Sequence, residues 1–160
     1  RMKSPSKIGC SRDEQLLYAM AEAGSEVPTQ DHSSTPLEMV TEFAECMGQP
    51  LNVPWAEDKP LEELRWDMIS EEYEEAFDES CYKKNPENML KELADMSINI
   101  NGYCATYGWN LDEAIRRVHL SNMSKLGQDG KPVKDSRGKV LKGPNYKPAI
   151  LTDLVETNNE

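Results

Sequence analysis

Apolar residues recur at helical spacing in four stretches between residues 35 and 123. In the first stretch, Pro36 follows a capping Thr35, and Glu38 stands three residues after the cap. This combination satisfies the free N–H groups at the start of a helix. Gly48 can end the helix because glycine takes positive φ without strain. The pattern predicts a helix to about residue 47, with an apolar side made of Leu37, Val40, Phe43, Ala44 and Met47.

Three further helices are predicted: Leu61 to Glu79, Pro86 or Glu87 to Tyr107, and one that begins at an Asn110 cap and runs to about Met123. Short connections between helices favour antiparallel packing, so we expect an antiparallel four-helix bundle. Its apolar positions should include Leu61, Leu64, Met68, Ile69, Ala76 and Phe77, then Leu90, Leu93, Met96, Ile100, Tyr103 and Cys104, then Leu111, Ala114, Ile115, Val118 and Met123.

The segments on either side of the helices differ in pattern. Residues 131–142 contain two short β-prone runs around Gly138, which predicts a small C-terminal β-hairpin. Residues 1–34 are rich in Ser, Pro and Thr, with one short helix at 13–23, and we expect a flexible N-terminal extension. The fold class is therefore all-α with a small hairpin, in one domain over residues 35–151, followed by a frayed tail at 152–160.

Composition and charge narrow the classes of function. The 160 residues carry a formal charge of −11, which argues against a nucleic-acid partner, because phosphate backbones select for excess Lys and Arg. No apolar run is long enough for a membrane span or a secretion signal, so we expect a soluble cytoplasmic protein. The four cysteines have no CxxC spacing, and we expect free thiols rather than a zinc site or disulfide framework.

The charge is unevenly distributed along the chain. Residues 57–95 hold 14 acidic against 5 basic side chains, a net of −9. Residues 125–147 hold 7 basic against 2 acidic side chains, a net of +5. An acidic middle and a basic tail indicate a cation site and an anion site in one protein.

Two acidic motifs lie on consecutive predicted helices. They are Glu71-Glu72-Tyr73-Glu74-Glu75 and Glu92-Leu93-Ala94-Asp95. Residues three or four apart share a helix face, so Glu72 with Glu75, and Glu92 with Asp95, would each present two carboxylates to one side. Antiparallel packing would bring all four together, and a hard divalent cation would relieve their repulsion. For the first motif alone, a solvated acidic face is the alternative. Core-type residues flank the second motif, so its acids should be buried. Buried carboxylates are rare unless they are paired or metal-bound.

The two motifs together resemble a known family. Glu71-Glu72-x-x-Glu75 and Glu92-x-x-Asp95 are similar to the EExxE and ExxD pattern of the all-α NTP pyrophosphohydrolases. That superfamily includes MazG, dimeric dUTPase, dCTP pyrophosphatase and phosphoribosyl-ATP pyrophosphohydrolase. The similarity to the MazG-like branch, phage members included, extends over about residues 35–151. Within that branch, residues 119–125, 129–133 and 138–146 resemble one MazG-like subgroup.

The resemblance implies an enzyme, a hydrolase that cleaves a (deoxy)nucleoside triphosphate at the α–β bond to a monophosphate and pyrophosphate, as nucleotide-pool house-cleaning. It implies Mg²⁺ as cofactor, with Mn²⁺ as an alternative, and an assembly of identical chains, a homodimer or homotetramer. It places the metal ligands at Glu72, Glu75, Glu92 and Asp95. Glu71 falls on the acid that orients or deprotonates the attacking water.

The basic tail is the predicted contact for the triphosphate substrate. We expect Lys125, Lys139 and Lys142 to meet phosphate oxygens and Asn122 to hydrogen-bond the base or sugar. For Asn122 and Lys125 the alternative is simple capping of a helix C-terminus, and for the hairpin lysines it is a solvated edge. Two other functions stay open: phosphoribosyl-ATP hydrolysis, and a non-enzymatic acidic helical binding module. The preferred nucleobase is not encoded in the shared motifs.

Overall fold

The computed structural model describes residues 34–155, and its regular structure is helical. The α-helices are α1 (Pro36–Met47), α2 (Lys59–Asp78), α3 (Pro86–Thr106) and α4 (Leu111–Met123). A π-helix, Glu79–Lys83, continues α2, and a 3-10 helix, Thr152–Leu154, lies near the end of the described chain. The all-α class is thereby confirmed for this part of the protein. Within it, no helix is long and apolar enough to cross a bilayer.

Side-chain caps determine where the helices begin. Thr35 and Glu38 form the predicted capping box: Thr35 Oγ1 accepts the Glu38 N–H at 3.3 Å, and Glu38 Oε2 accepts the Thr35 N–H at 2.8 Å. Asp58, Asn85 and Asn110 accept backbone N–H groups at the starts of α2, α3 and α4. These N–H groups have no partner within their own helix, so the caps stabilise each start.

The junction between α2 and α3 differs from the prediction. The α-helix ends at Asp78, close to the predicted Glu79, but the chain then passes directly into the π-helix, which was not predicted. Lys84, at a left-handed φ of 55°, ends this turn, and Pro86 opens α3. Apolar spacing gives no signal for a π-helix, which is rare and usually a single turn.

α3 is the central helix, because both α1 and α2 pack against it. The connector between α1 and α2 docks on its C-terminal end, where the Asn52 N–H donates to the Ala105 carbonyl at 3.4 Å and the Val53 N–H to the Thr106 carbonyl at 2.9 Å. Tyr107 is 1% exposed and anchors this end of the molecule. α4, in contrast, has no buried residue.

An aromatic cluster joins the connector, α2 and the end of α3. Trp55 Nε1 donates a hydrogen bond to the Tyr103 hydroxyl at 3.1 Å. The ring centroid of Tyr103 lies 5.0 Å from Tyr107, 5.5 Å from Trp66 and 5.9 Å from Trp109. Tilted and edge-on rings at such separations are favourable aromatic contacts, so this cluster stabilises the connector against the two helices.

The apolar sides predicted for the helices are buried only in part. Val40, Ala44 and Ala76 are buried, whereas Leu90 is 69% exposed and Leu93 is 45% exposed. The expectation that α3 buries its whole apolar side is therefore wrong in this chain, because packed helices cover only part of its circumference. Other predicted core residues that are exposed are Phe43, Met47, Leu64, Phe77, Ile100, Ile115, Val118 and Met123.

The β-hairpin predicted for residues 131–142 is not supported, since the described residues contain no strand. Two isolated antiparallel bridges stand in its place, Leu126 with Pro132 and Lys134 with Val140. Asp135 Oδ1 accepts two backbone N–H groups and folds the intervening turn. Pro132 has no N–H to donate, which limits the ladder of hydrogen bonds around it.

The chain ends are described only in part. The expected flexible extension, with its helix at 13–23, lies outside the described residues apart from Ser34, and so does the tail beyond residue 155. Residues 152–154, expected to be frayed, form the 3-10 helix. Arg117 of α4 holds this segment through Asp153, with Nη1 2.6 Å from Oδ1 and Nη2 2.9 Å from Oδ2. The domain limits stay a prediction.

The cysteines differ in state. Cys81 and Cys104 are free thiols, and Cys81 is exposed. Cys46 is disulfide-bonded, so the expectation of free thiols throughout is wrong at this residue.

Candidate metal centre

Carboxylates from two helices meet where α2 packs against α3. Glu72 of α2 and Glu92 and Asp95 of α3 each bring one side-chain oxygen within 4.8 Å of the other two. Glu92 is buried, and the other two side chains are half-buried. We call these three residues the carboxylate group. Three oxygen donors in this arrangement suit a hard divalent cation such as Mg²⁺ or Mn²⁺.

The antiparallel register of α2 and α3 produces this meeting. For each seven residues toward the C-terminus of α2 and its π-helix, the facing position on α3 lies seven residues closer to the N-terminus of α3. Seven residues are about two helical turns, so the members of each series lie nearly in line on their helix. Three facing pairs mark the register: Glu79 with Asn88, Glu72 with Asp95, and Arg65 with Gly102.

Glu75 is the predicted ligand that lies outside the carboxylate group. It is exposed, while its neighbour Ala76 is only 4% exposed. Three residues fall about 60° short of a full helical turn, so Glu75 points to the edge of the face that carries Glu72. Glu71, the predicted catalytic acid, is also exposed.

Lys91 supplies the positive charge of the site. Its Nζ lies 2.8 Å from Glu92 Oε2 and 2.9 Å from Asp95 Oδ2. Hydrogen bonds to these two carboxylates raise the pKa of Lys91. Lys91 was not among the predicted site residues, although its spacing of four from Asp95 is a standard signal for an ion pair on a helix. A divalent cation at the site must compete with this ammonium group.

Glu72 has a different environment from the other two carboxylates. Burial raises the pKa of its carboxyl group, and the negative charges of Asp95 and Glu75 raise that pKa further. Asn99 Nδ2 donates a hydrogen bond to Glu72 Oε1 at 3.3 Å. Asn99 was also missed from the sequence, although it stands four residues after Asp95 and therefore shares its helix face.

The predicted substrate-binding residues lie in the C-terminal half of the described chain. Lys125 Nζ donates to Asn122 Oδ1 at 2.6 Å, so these two form a unit at the end of α4. Lys142 Nζ lies 4.5 Å from the ring centroid of Tyr146. Lys139 is exposed. Within residues 34–155, no hydrogen bond or ion pair joins these side chains to the carboxylate group.

An open groove of about 680 Å³ lies beside the end of α4. Its lining includes Met123, Asn145, Tyr146 and Lys147, and none of the three carboxylates. Among the described residues, this groove and the candidate cation ligands are therefore separate features.

Comparison with models of known protein families and with curated protein sequences finds no match. The MazG-like resemblance accordingly rests on the two acidic motifs and the tail, and the activity that it implies is a proposal.

Proposed function

We propose that this protein is a Mg²⁺-dependent nucleoside triphosphate pyrophosphohydrolase of the MazG-like type. It would cleave a (deoxy)nucleoside triphosphate at the α–β bond, in the cytoplasm, as a house-cleaning enzyme. The observation that carries the proposal is the carboxylate group, in which an EExxE helix and an ExxD helix bring Glu72, Glu92 and Asp95 together. Acidic side chains at these positions are what the family resemblance implies.

The donor set fits the proposed cation. All three ligands are carboxylates, which Mg²⁺ and Mn²⁺ prefer, and Glu92 is buried among them. Lys91 offsets part of the charge of Glu92 and Asp95, and its side chain is 61% exposed, so it can move into solvent when a cation binds. Glu75 stands on the next turn of α2, where a change of rotamer would bring its carboxylate toward the same cation.

The residues of this chain have distinct roles in the proposed reaction. A bound divalent cation supplies Lewis-acid stabilisation of charge on phosphate oxygens. Glu71, exposed beside Glu72, accepts a proton from the attacking water. Asn122 and Lys125, with Lys139 and Lys142, bind the triphosphate and the nucleoside. Because they are not joined to the carboxylates within one chain, we propose that a homodimer or homotetramer of four-helix subunits completes the site.

The test is release of pyrophosphate from a panel of canonical and modified dNTPs, and from phosphoribosyl-ATP, in Mg²⁺ and in EDTA. We expect metal-dependent turnover of at least one dNTP, with loss of turnover in Asp95→Asn. Glu71→Gln should lower kcat by about 10²- to 10⁴-fold with metal binding retained. Glu74→Gln, an exposed acid on the same helix, is the matched control and should keep full activity.

Glu75→Gln separates two descriptions of the site. A loss as large as that of Asp95→Asn would assign Glu75 to the cation, and unchanged turnover would leave three carboxylate ligands.

One observation favours a second candidate, an acidic binding module without catalysis. Lys91 pairs with two of the three carboxylates, so an ammonium group already provides part of the positive charge that a metal ion would supply. A protein that turns over no nucleotide in the panel, in Mg²⁺ or Mn²⁺, would support this candidate over the enzyme. Turnover of phosphoribosyl-ATP alone would instead support phosphoribosyl-ATP hydrolysis, the alternative activity within the same superfamily.

A further inference from the structure

Asn99 connects α3 to α2 at the carboxylate group. It lies on α3, one turn after Asp95, and is half-buried. Its Nδ2 donates to two oxygens of α2, the Met68 carbonyl at 3.2 Å and Glu72 Oε1 at 3.3 Å. Met68 and Glu72 are one turn apart, so the amide group lies against a single turn of α2.

The chemistry of the two partners determines the orientation of the Asn99 amide. A backbone carbonyl and a carboxylate can only accept hydrogen bonds here, so the NH₂ end must face them. The opposite orientation would place Oδ1 against two acceptors. The Met68 carbonyl is held by the helix backbone and cannot move independently, so Asn99 fixes the position of the Glu72 carboxylate relative to it.

Glu72 is held by a neutral amide donor, whereas Lys91 holds its two neighbours. Lys91 pairs with Glu92 and Asp95, and Glu92 is also confined by burial. Among residues 34–155, the group that donates a hydrogen bond to the Glu72 side chain is the Asn99 amide. The bond occupies Oε1 and leaves Oε2 available to another partner.

We propose that Asn99 is a positioning residue, which holds Glu72 in the orientation that completes the ligand set for a divalent cation. The inference rests on the proposed metal site and adds a residue that the acidic motifs do not contain. Without Asn99, Glu72 would be a side chain on a helix surface, free to rotate away from α3 and repelled by Asp95. Hydrogen-bond partners of this kind typically contribute about 10- to 100-fold to metal affinity.

The test is Mn²⁺ binding, measured by electron paramagnetic resonance of the free ion on the full chain without nucleotide. Four proteins are compared: wild type, Asn99→Ala, Asn101→Ala and Glu72→Gln. Asn101 is the control for loss of an asparagine from α3: it is 5% exposed and donates to the Ser97 carbonyl of its own helix at 2.8 Å, not to α2. We expect Asn99→Ala to weaken Mn²⁺ binding about 10- to 100-fold and Asn101→Ala to leave it unchanged.

A thermal melt of each metal-free protein separates positioning from folding. If Asn99→Ala melts with a broad transition, Asn99→Leu, which replaces the lost volume, takes its place and should show the same loss of affinity. Wild-type Mn²⁺ affinity in a folded Asn99 variant, together with weak binding by Glu72→Gln, would overturn the role of Asn99 and leave the metal site in place. Wild-type affinity in Glu72→Gln, or no binding by the wild type, would overturn the metal site itself.

Kinetics provide a second readout if the enzyme turns over a nucleotide. A positioning residue acts through the cation, so Asn99→Ala should raise the Mg²⁺ concentration that gives half-maximal rate and retain most of kcat at saturating Mg²⁺. A loss of kcat that saturating Mg²⁺ does not restore would contradict a role limited to positioning.

Discussion

Glu72 is the member of the carboxylate group that has no ion pair among the described residues. Lys91 forms ion pairs with Glu92 and Asp95 instead. Burial and the neighbouring acids raise the pKa of Glu72, and Lys91 offsets only part of that rise. Ionised Glu72 therefore opposes folding of the metal-free protein at neutral pH.

The raised pKa predicts a pH-dependent effect of Glu72→Gln. A carboxyl group whose pKa is higher in the folded state favours folding when it is protonated. That contribution is complete below the ordinary pKa of 4.5 and is lost as pH rises through the folded-state pKa. We expect metal-free Glu72→Gln to melt at a higher temperature than wild type at neutral pH, with the difference shrinking as pH falls toward the ordinary pKa.

Thermal melts in EDTA across this pH range would test the prediction. Glu74→Gln is the control, because Glu74 is an exposed acid two residues away on the same helix. A difference between wild type and Glu72→Gln that does not change with pH would show that ionisation of Glu72 does not cause it.

At the residue scale, the acidic motifs predicted which part of each helix carries the site but not every side chain within it. Glu72 faces α3 and Glu75 lies at the edge, and the spacing of the two acids alone does not distinguish them. Which of the two acids faces α3 depends on the register of α2 against α3, and long-range packing determines that register. Asn99 and Lys91 share the helix face of Asp95, so a search of that face for polar residues could have found both.

At the scale of the helices, the buried acidic side chain of Glu79 lies at the junction between α2 and α3. Glu79 is 3% exposed, and its Oε1 accepts hydrogen bonds from Lys83 at 3.1 Å and Asn88 at 3.4 Å. The other oxygen, Oε2, is buried with no hydrogen-bond partner in the structure. Glu79 thus connects the π-helix to the first turns of α3, and it belongs to the same seven-residue series as Glu72.

We predict that Glu79→Ala destabilises the protein by about 1–3 kcal/mol, since it removes the buried acceptor of two hydrogen bonds. Denaturant unfolding monitored by circular dichroism would measure the change. Glu74→Ala should change the free energy of unfolding by no more than about 0.5 kcal/mol, as is usual for exposed positions. Equal stabilities of the two variants would mean that Glu79 does not stabilise the junction.

Helix starts whose cap was recognised were predictable from the sequence, because the cap and the groups it satisfies lie within three residues of each other; α2, by contrast, begins at Lys59 rather than at the predicted Leu61. Thr35 with Glu38 and the Asn110 cap are examples. The π-helix and the absent hairpin were not predictable in this way. A π-helix has no apolar period of its own that a sequence could show. A hairpin needs backbone hydrogen bonds between its two β-prone runs, and Pro132 has no N–H to donate to them.

At the scale of the whole molecule, apolar side chains remain uncovered on several helices. Leu90 is 69% exposed and Leu120 is 68% exposed, and α4 buries none of its residues. Exposed apolar surface of this extent is typical of proteins that associate. We predict a homodimer or homotetramer, and light scattering at micromolar concentration should report a mass of two or four chains. A mass of one chain would contradict this prediction.

Divalent cations should stabilise the folded protein specifically. A ligand that binds only the native state at about 100 times its Kd adds roughly 2.7 kcal/mol to the free energy of unfolding. We therefore expect Mg²⁺ to raise the melting temperature by several degrees above NaCl of equal ionic strength. Asp95→Asn should abolish the difference. Equal midpoints in Mg²⁺ and NaCl for the wild type would show screening alone, and the carboxylates would then be a solvated acidic face.

The aromatic cluster has a practical consequence for spectroscopy. All three tryptophans of the chain belong to it or contact it, with Trp55 5.8 Å from Trp109 and Trp66 5.5 Å from Tyr103. Tyr103 stands eight residues after Asp95, about 12 Å along α3, so the cluster and the carboxylate group lie at different levels of the helix pair. Intrinsic tryptophan emission should therefore follow detachment of the connector from α3 and respond little to events at the carboxylates.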